Sequence, residues 1–539
     1  MKNLRFFLLI FFIGFCVRLG FLSTHFSHTD DLIVPRTLML KKENFKNYID
    51  VRLYKLAESD KYLKNFYKEY GDILLNNYSI LKPIILPLIL SKNTTYAPGQ
   101  YVISTLLYPD KLNSYNEIKI YSRVINFILF LTLFILLFYL FKKDNYKFSF
   151  LIIPIIISLS WTSIIYTVQS SPYLILILSQ FYYYYFLLNF KKLKSRNLHF
   201  LIIIILPIFN YLNIFFSSIC LLFVFIHLYS IKNYKNLISK STFSGIFFLM
   251  IYFFFLKDKT GRTLNWNTGI NNEFLFEFSD FLSLPVFFIS NSFKSSINHI
   301  NFTGDVDLIS IFYILIFFIL IFLGFIRIKS LKNLKLYLIY TILSFFIFSF
   351  LILIGKFTLS PTRHTIYLIP FIAIYSYYGI DILINRFDNL IMNRIINLFY
   401  FSIIFVWLFN LSNNYNNRKD VFIETEINEL IKKYNVNTII LYDWTYQLIY
   451  MPSISENYNF IDTGKQNIEM KIKNEYENGS IMFISHHNDK IEYNLAKSKY
   501  LNIQDPKLIF DREVTSETEI STLNYTKNGS NNLLIKIFK

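Results

Sequence analysis

Glycine is scarce in this 539-residue chain, and the spacing of the 14 present excludes whole classes of chemistry. No two lie closer than Gly14 and Gly20, so neither G-x-G-x-x-G nor G-x-x-x-x-G-K occurs anywhere. Dinucleotide sites and P-loops need such glycines to bring backbone N–H groups onto phosphates. A Rossmann oxidoreductase and an ATP-driven pump are therefore set aside. Cysteine is rarer still. Cys16 and Cys220 both fall in apolar surroundings and cannot build a thiolate zinc site. Acid is missing from one long stretch: no Asp or Glu occurs between Asn145 and Lys257. Ion-coupled transporters hold carboxylates at mid-membrane to bind the coupling ion, so this gap counts against a secondary transporter.

What is abundant is apolar and aromatic. Hydrophobic residues make up 54% of the chain and aromatics 19%, with a mean hydropathy of +0.38. Runs such as Val124–Phe141, Phe148–Tyr166 and Ile309–Phe325 approach the roughly 20 apolar residues that cross a bilayer. Eleven spans are read, near 5–22, 121–141, 148–167, 172–190, 198–209, 212–230, 241–256, 308–326, 336–355, 366–385 and 394–411. The first is expected to be a retained helix rather than a cleaved signal peptide, because no small-residue cleavage site follows it. The fifth and sixth meet around Asn210 with almost no loop, a hairpin that stops short of full thickness. The fold class expected is an α-helical polytopic membrane protein with a small C-terminal extracytoplasmic α/β domain.

The net charge of +18 divides unevenly. From Ser412 onward there are 15 basic and 17 acidic residues, against 39 and 19 before it. The excess belongs to the membrane half, and a nucleic-acid partner is not implied. Alternate short loops carry 16 basic residues, from Lys142, Lys143 and Lys147 to Arg386 and Arg394. The short loops between them carry only Lys356 and Arg363. The positive-inside rule makes the first set cytoplasmic. The long loops 23–120 and 257–307 then face outward, as does the C-terminal region, and the protein is a multi-pass protein of the cell (inner) membrane. Two domains are drawn, 1–411 in the membrane and 412–539 outside. In the second, short apolar runs (438–442, 480–484 and 533–537) alternate with polar helical stretches such as Glu424–Tyr434, which predicts a small α/β domain.

The first outward loop holds 10 of the 19 acids of the membrane half. It opens on His25-x-x-His28-Thr29-Asp30-Asp31, directly after the first span. Paired carboxylates there can serve as a general base, with Arg36 about a turn further on. They can equally cap a juxtamembrane helix. His25, His28, Asp30 and Asp31 are also ligand types for zinc or manganese, so a divalent metal stays open. Other cations on the outer face are Lys257, Arg262 and Arg363, the last followed by His364. Arg363 stands nearly alone in a charge-poor loop. The aromatic stretch 274–293 of loop 257–307 reads either as an interfacial helix at headgroup depth or as packing against neighbouring spans.

Asp30-Asp31 after the first span resembles the acidic pair of the C-type (GT-C) glycosyltransferase superfamily, in the protein-mannosyltransferase and aminoarabinose-transferase branch. Four further elements resemble that branch in order: Thr95–Tyr101, Ser122–Ile125, Tyr166–Tyr173 and Ser360–Leu368. The likeness covers residues 1 to about 385 as architecture. This chain departs from the pattern with Asp31 for the commoner Glu, Gly99 for a proline and Ser171 for an arginine. The resemblance implies an inverting enzyme that moves a sugar from a polyprenyl-phosphate donor, bound among membrane lipid, to an extracytoplasmic glycan, lipid or protein acceptor. It requires no cofactor. Asp30 and Asp31 are the catalytic candidates, and Arg36, Lys257, Arg262, Arg363 and His364 the candidates for the donor phosphate. The alternative is a polysaccharide polymerase or ligase, and after it a lipid-glycan flippase.

Overall fold

The computed structural model describes residues 2–24, 97–107, 115–160, 163–164, 173–190, 196–256, 308–353, 366–387, 390–417, 423–441, 459–462, 480–485, 508–515 and 532–538. Two compact units partition the chain. One comprises Met1–Gly20, Leu88–Tyr101 and Ile125–Asn414, and the other Phe21–Pro87, Val102–Val124 and Tyr415–Lys539.

Apolar helices dominate the membrane half. They are α1 (Lys2–Thr24), the short α2 (Pro98–Leu107), α3 (Tyr115–Lys143) and a 3-10 turn (Phe148–Leu151) leading into α4 (Ile152–Leu159). There follow α5 (Leu174–Asn189), α6 (Arg196–Phe209), α7 (Asn213–Ser230), α8 (Tyr234–Ile251), α9 (Leu308–Ser330), α10 (Lys335–Leu353), α11 (Leu368–Phe387) and α12 (Leu390–Asn417). Among the described residues, eight helices are long and apolar enough to cross a membrane, and Phe148–Leu159, Leu174–Asn189 and Asn197–Phe209 are apolar but shorter. At about 1.5 Å per residue, the 14 residues of α6 reach only about 21 Å, short of a hydrocarbon core of about 30 Å.

Two boundaries differ from the expected ones for identifiable reasons. The predicted span at 241–256 begins earlier, at Tyr234, because the Asn233 side chain accepts a hydrogen bond from the Asn236 N–H at 3.3 Å and caps the helix there. The predicted span at 148–167 is interrupted. Ser160 turns extended (φ −66°, ψ 131°) and ends α4, and its own Oγ and carbonyl then accept from the N–H groups of Ser163 and Ile164 to start another turn.

α11 is the central helix, buried from Leu368 to Asp381. It meets α9 backbone to backbone: a Cβ on Gly324 would lie 1.9 Å from the Tyr375 carbonyl oxygen, and one on Gly379 2.0 Å from that of Leu320. In lipid no hydrophobic force drives helices together, so contact this close between backbones supplies the attraction through packing. Behind α11 runs a neutral polar seam. Tyr340 donates to Gln180 Oε1 at 2.6 Å, and Ser179 lies 2.7 Å from Asn213 Oδ1. Ser217 gives its proton to the Ile203 carbonyl, which makes Tyr183, 2.9 Å away, the donor to Ser217. Hydroxyls and amides thus bond to one another where acids are absent, with Gln180 Nε2 left without a hydrogen-bond partner among the described residues.

The charges gather at one end. After α3 the chain turns through Asn145 and Tyr146, both left-handed (φ 54° and 56°), which swings Asp144 and Lys147 towards α11. Lys147 Nζ lies 3.2 Å from Asp381 Oδ1, and Arg327 of α9 lies 3.3 Å from Asp381 Oδ2. Tyr377 donates to Asp144. One buried carboxylate is shared by two cations from two elements.

The second unit holds α13 (Ile423–Tyr434) and strands β1 (Val436–Leu441), β2 (Asn459–Asp462), β3 (Ser480–Ser485), β4 (Leu508–Thr515) and β5 (Asn532–Phe538). They form one sheet of order β2-β1-β3-β5-β4, parallel for β1 with β2 and β3 and antiparallel through β5 and β4. β1, β3 and β5 are the three apolar runs legible in the sequence. Leu430 and Ile431 of the amphipathic α13 are buried.

The shared carboxylate gives the first prediction. Asp381→Asn removes the partner of two cations that are 44% and 32% exposed, which discounts the usual cost of breaking a buried pair to about 1–3 kcal/mol. Asp144 is the reverse case. Burial pushes its carboxyl above its usual value, against the Tyr377 hydrogen bond and Lys147, which lower it. The folded state therefore binds that proton more tightly, and stability is lost as pH rises through the raised value. Asp144→Asn retains an acceptor for Tyr377 and removes this loss. Thermal unfolding of the purified protein in neutral detergent at pH 7.5 should fall clearly for Asp381→Asn and hold or rise for Asp144→Asn.

Candidate functional site

The predicted site residues Asp30, Asp31 and Arg36, with His25 and His28, lie outside the described residues, as do Lys257, Arg262, Arg363 and His364. So does the aromatic stretch 274–293. Among the described residues no group of three or more His, Cys, Asp or Glu could hold a metal ion. What is described is the framework from which those segments depart.

The strongest feature of that framework is Arg18, in the last third of α1 and only 1% exposed. Its Nη1 donates to the carbonyls of Gly14 at 3.0 Å and Ser158 at 2.8 Å. Its Nη2 donates to the carbonyl of Ile157 at 2.8 Å and to Ser163 Oγ at 3.3 Å. Its guanidinium also lies 4.0 Å from the centre of the Phe130 ring. The last carbonyls of any helix have no partner within it, and inside an apolar medium each bare one is costly. Arg18 fills that need for α4, where the chain breaks at Ser160. Its approach depends on Gly14, whose added Cβ would stand 2.6 Å from Ser158 Cβ. The planar five-donor fork is what allows a single side chain to hold three carbonyls and a hydroxyl.

Arg123 is a second buried guanidinium, fully inaccessible on α3, and it donates to the Leu22 carbonyl at 2.6 Å in the last turns of α1. This assigns a contact to the arginine of Ser122–Ile125. Of the element Thr95–Tyr101, the residues from Ala97 on are described and all five are buried. Gln100 Nε2 donates to Asn126 Oδ1 at 2.8 Å. Gly99 faces Phe209 and the Ile208 carbonyl, and a Cβ there would come within 2.9 Å of the Phe209 ring. A proline ring would not fit against this corner, which accounts for glycine at that position. Of Tyr166–Tyr173 only Tyr173 is described, one residue before α5, and of Ser360–Leu368 only the buried Ile366, Tyr367 and Leu368.

Sequence reasoning passed over Arg18, Asp144 and Asp381. The signal for Arg18 and Asp381 was present, since each is an ionisable residue inside an apolar span, and such residues are retained there only when they are paired. Asp144 gave none, standing among lysines at the end of a helix. The arrangement at Arg18 holds rather than reacts, because its donors are spent on three backbone carbonyls and the Ser163 hydroxyl.

Arg18→Met should expose the end of α4 and cost about 2–4 kcal/mol, since charge-assisted bonds to otherwise unmatched carbonyls are lost together. Arg18→Lys, whose three donors sit on one compact ammonium without the spread of the fork, should recover less than half. Thermal midpoints of the purified variants in detergent would show it, and an unchanged midpoint for Arg18→Met would mean that other groups cap α4.

No protein-family model and no curated protein matches this sequence.

Proposed function

We propose that the chain is an inverting glycosyltransferase of the membrane, transferring one sugar from a polyprenyl-phosphate donor to an extracytoplasmic acceptor. The observation that carries this reading is the order of its elements. An Asp30-Asp31 pair directly follows α1, and four further elements resembling one enzyme branch come after it in that branch's sequence. If the eight long and three shorter apolar helices among the described residues alternate in direction, segments 25–96, 165–172, 257–307 and 354–365 fall on a single side. The basic loops, concentrated on the other, make that side the outer one. The region from Ser412 then stands outside as well, as an α/β domain.

In this reading Asp30 takes the proton from an acceptor hydroxyl as its oxygen attacks the anomeric carbon from the face opposite the phosphate. The C–O bond to the lipid phosphate breaks as the new one forms, and the configuration inverts. General-base assistance of this kind is worth about 10²–10⁴ in rate. The departing phosphate gains negative charge, for which Arg363 is the leading partner, with Arg36, Lys257, Arg262 and His364 as further candidates. Asp31 supports Asp30 or, with His28, completes a divalent-metal site. No nucleotide or ATP is needed, because the donor is already activated by its phosphate.

Asp30→Asn should abolish transfer by the purified enzyme with a synthetic short-chain donor while leaving membrane insertion and yield unchanged. Retention of near-normal transfer would move the base to Asp31 or leave the pair a helix cap.

Arg363→Ala should lower turnover roughly 10- to 150-fold, the value of one charge-assisted hydrogen bond of about 1.5–3 kcal/mol. Arg363→Lys should restore part of it, since charge returns without the bidentate fork. If the contact strengthens as the phosphate leaves, the loss falls on kcat more than on KM. Wild-type rates for Arg363→Ala would assign the phosphate to Lys257 or Arg262.

A further inference from the structure

The sheet of the second unit changes direction at one place. β1 lies between β2 and β3 and runs parallel to both. From β1 the chain goes on to β2 on one side, and from β3 it goes on to β4 and β5 on the other. The connections that leave the carboxyl ends of β1 and β3 therefore diverge. In open sheets with parallel strands, ligands bind outside the carboxyl ends at such a switch point.

Asp462 of β2, Leu441 of β1 and Ile484 of β3 are paired in one row at this edge. Neighbouring strands stand about 4.8 Å apart. Beyond the row the sequence continues from β1 as Tyr442-Asp443-Trp444, and from β3, after Ser485, as His486-His487-Asn488-Asp489. Those residues lie outside the described ones, and it is the chain itself that bounds their position. Each residue adds at most about 3.6 Å of reach, so the Cα atoms of Asp443 and His486, both two residues past the row, lie within about 7 Å of it.

The chain has eight histidines, and two of them are consecutive at this one strand end. Imidazole and carboxylate together are ligand types for zinc and related divalent ions. From Tyr442 to Gln447 and from His486 to Asp489 there is no Lys, Arg or Gly, and each stretch holds an Asp. Such stretches bring neither cation nor glycine turn to a phosphate, and their charge favours a cation.

We propose that this juxtaposition, Asp443 beyond one strand end and His486, His487 and Asp489 beyond the next, is a site for a divalent transition-metal ion. The inference is independent of the transfer reaction and of the residues assigned to it, His28, Asp30 and Asp31 included.

The test uses the full-length protein, purified in neutral detergent without a histidine tag and stripped with EDTA. Zinc is the probe, and its stoichiometry and affinity are read by competition with a chromogenic chelator. His486→Gln with His487→Gln should remove one equivalent of the zinc that the wild type binds. Asp443→Asn should weaken that equivalent about tenfold or more, because even groups that only support a metal ligand contribute about 10- to 100-fold. Ligands must be deprotonated to bind, so wild-type affinity should fall as pH drops through the imidazole range near about 6.5. Cobalt in place of zinc should give the visible bands of a four-coordinate site, absent from the double variant, and equal thermal midpoints of the metal-free proteins would verify the fold. His28→Gln should leave this equivalent in place. A wild type that binds no zinc would overturn the proposal, as would undiminished binding by the double variant. So would loss of all zinc in His28→Gln, which would place the ion beside the first helix.

Discussion

A helix that ends within an apolar medium must find partners for its last carbonyls, and in this chain Arg18 provides them from a neighbouring helix. Much of the described membrane half follows from that constraint. The break at Ser160 is tolerable because Ile157 and Ser158 are covered by a guanidinium and Ser163 reaches back to Ile157. The guanidinium can arrive because Gly14 lets α1 approach Ser158 without a side chain between them. Its charge is tolerable because Phe130 lies against its face and its donors meet oxygen. Each of these residues loses its purpose if another is removed, so glycine, serine, aromatic and arginine form one device assembled from three helices.

A similar economy governs the other end of the bundle. Asp381 would be costly alone in a central helix, and Lys147 and Arg327 would repel each other without it. Together the three offset one another and join the α3–α4 corner to α9 and α11. The strained corner at Asn145 and Tyr146 helps to place the first of these cations. Left-handed backbone in residues other than glycine costs about a kcal/mol or more each, and the ion pairs and the Tyr377 bond made by Lys147 and Asp144 offset it. The glycine-mediated contact between α9 and α11 sits close by in sequence, Gly324 before Arg327 and Gly379 before Asp381. Close packing therefore sets the distance at which the charges meet.

Much of this was legible before any coordinates. The apolar runs gave the helices, since hydrophobic length is the dominant signal in a membrane chain, and the short alternating runs after Ser412 gave β1, β3 and β5. β2 and β4 were not legible. Asn459-Phe460-Ile461-Asp462 is too short to show alternation, and Asp511-Arg512-Glu513 puts three charges in a row at the sheet's edge. The interruption at Ser160 also escaped, because Ser158, Ser160 and Ser163 are compatible with a continuous helix unless one knows that Arg18 is near. Hydropathy averages over such positions, and the arginine that decides them lies about 140 residues away in sequence. Of the proposed site, the acidic pair and the candidate cations are residue types in order, and their geometry lies outside the described residues.

The distribution of charge bears on how such a protein could act on a lipid-borne anion. The described interior is neutral along α5, α7 and α10, where tyrosine, serine, asparagine and glutamine bond to one another, and the buried Arg18 and Arg123 donate chiefly to oxygens of the backbone. Neither feature offers a through-path for a charged headgroup. A phosphate would therefore be met where chain leaves the bundle, by cations on loops, while the helices keep the exits of those loops in place. Such a division separates holding from reacting. The first needs rigid donors committed to backbone oxygens, as at Arg18. The second needs donors left accessible at the interface, and in the proposed reaction Arg36, Lys257, Arg262 and Arg363 are the candidates for that role.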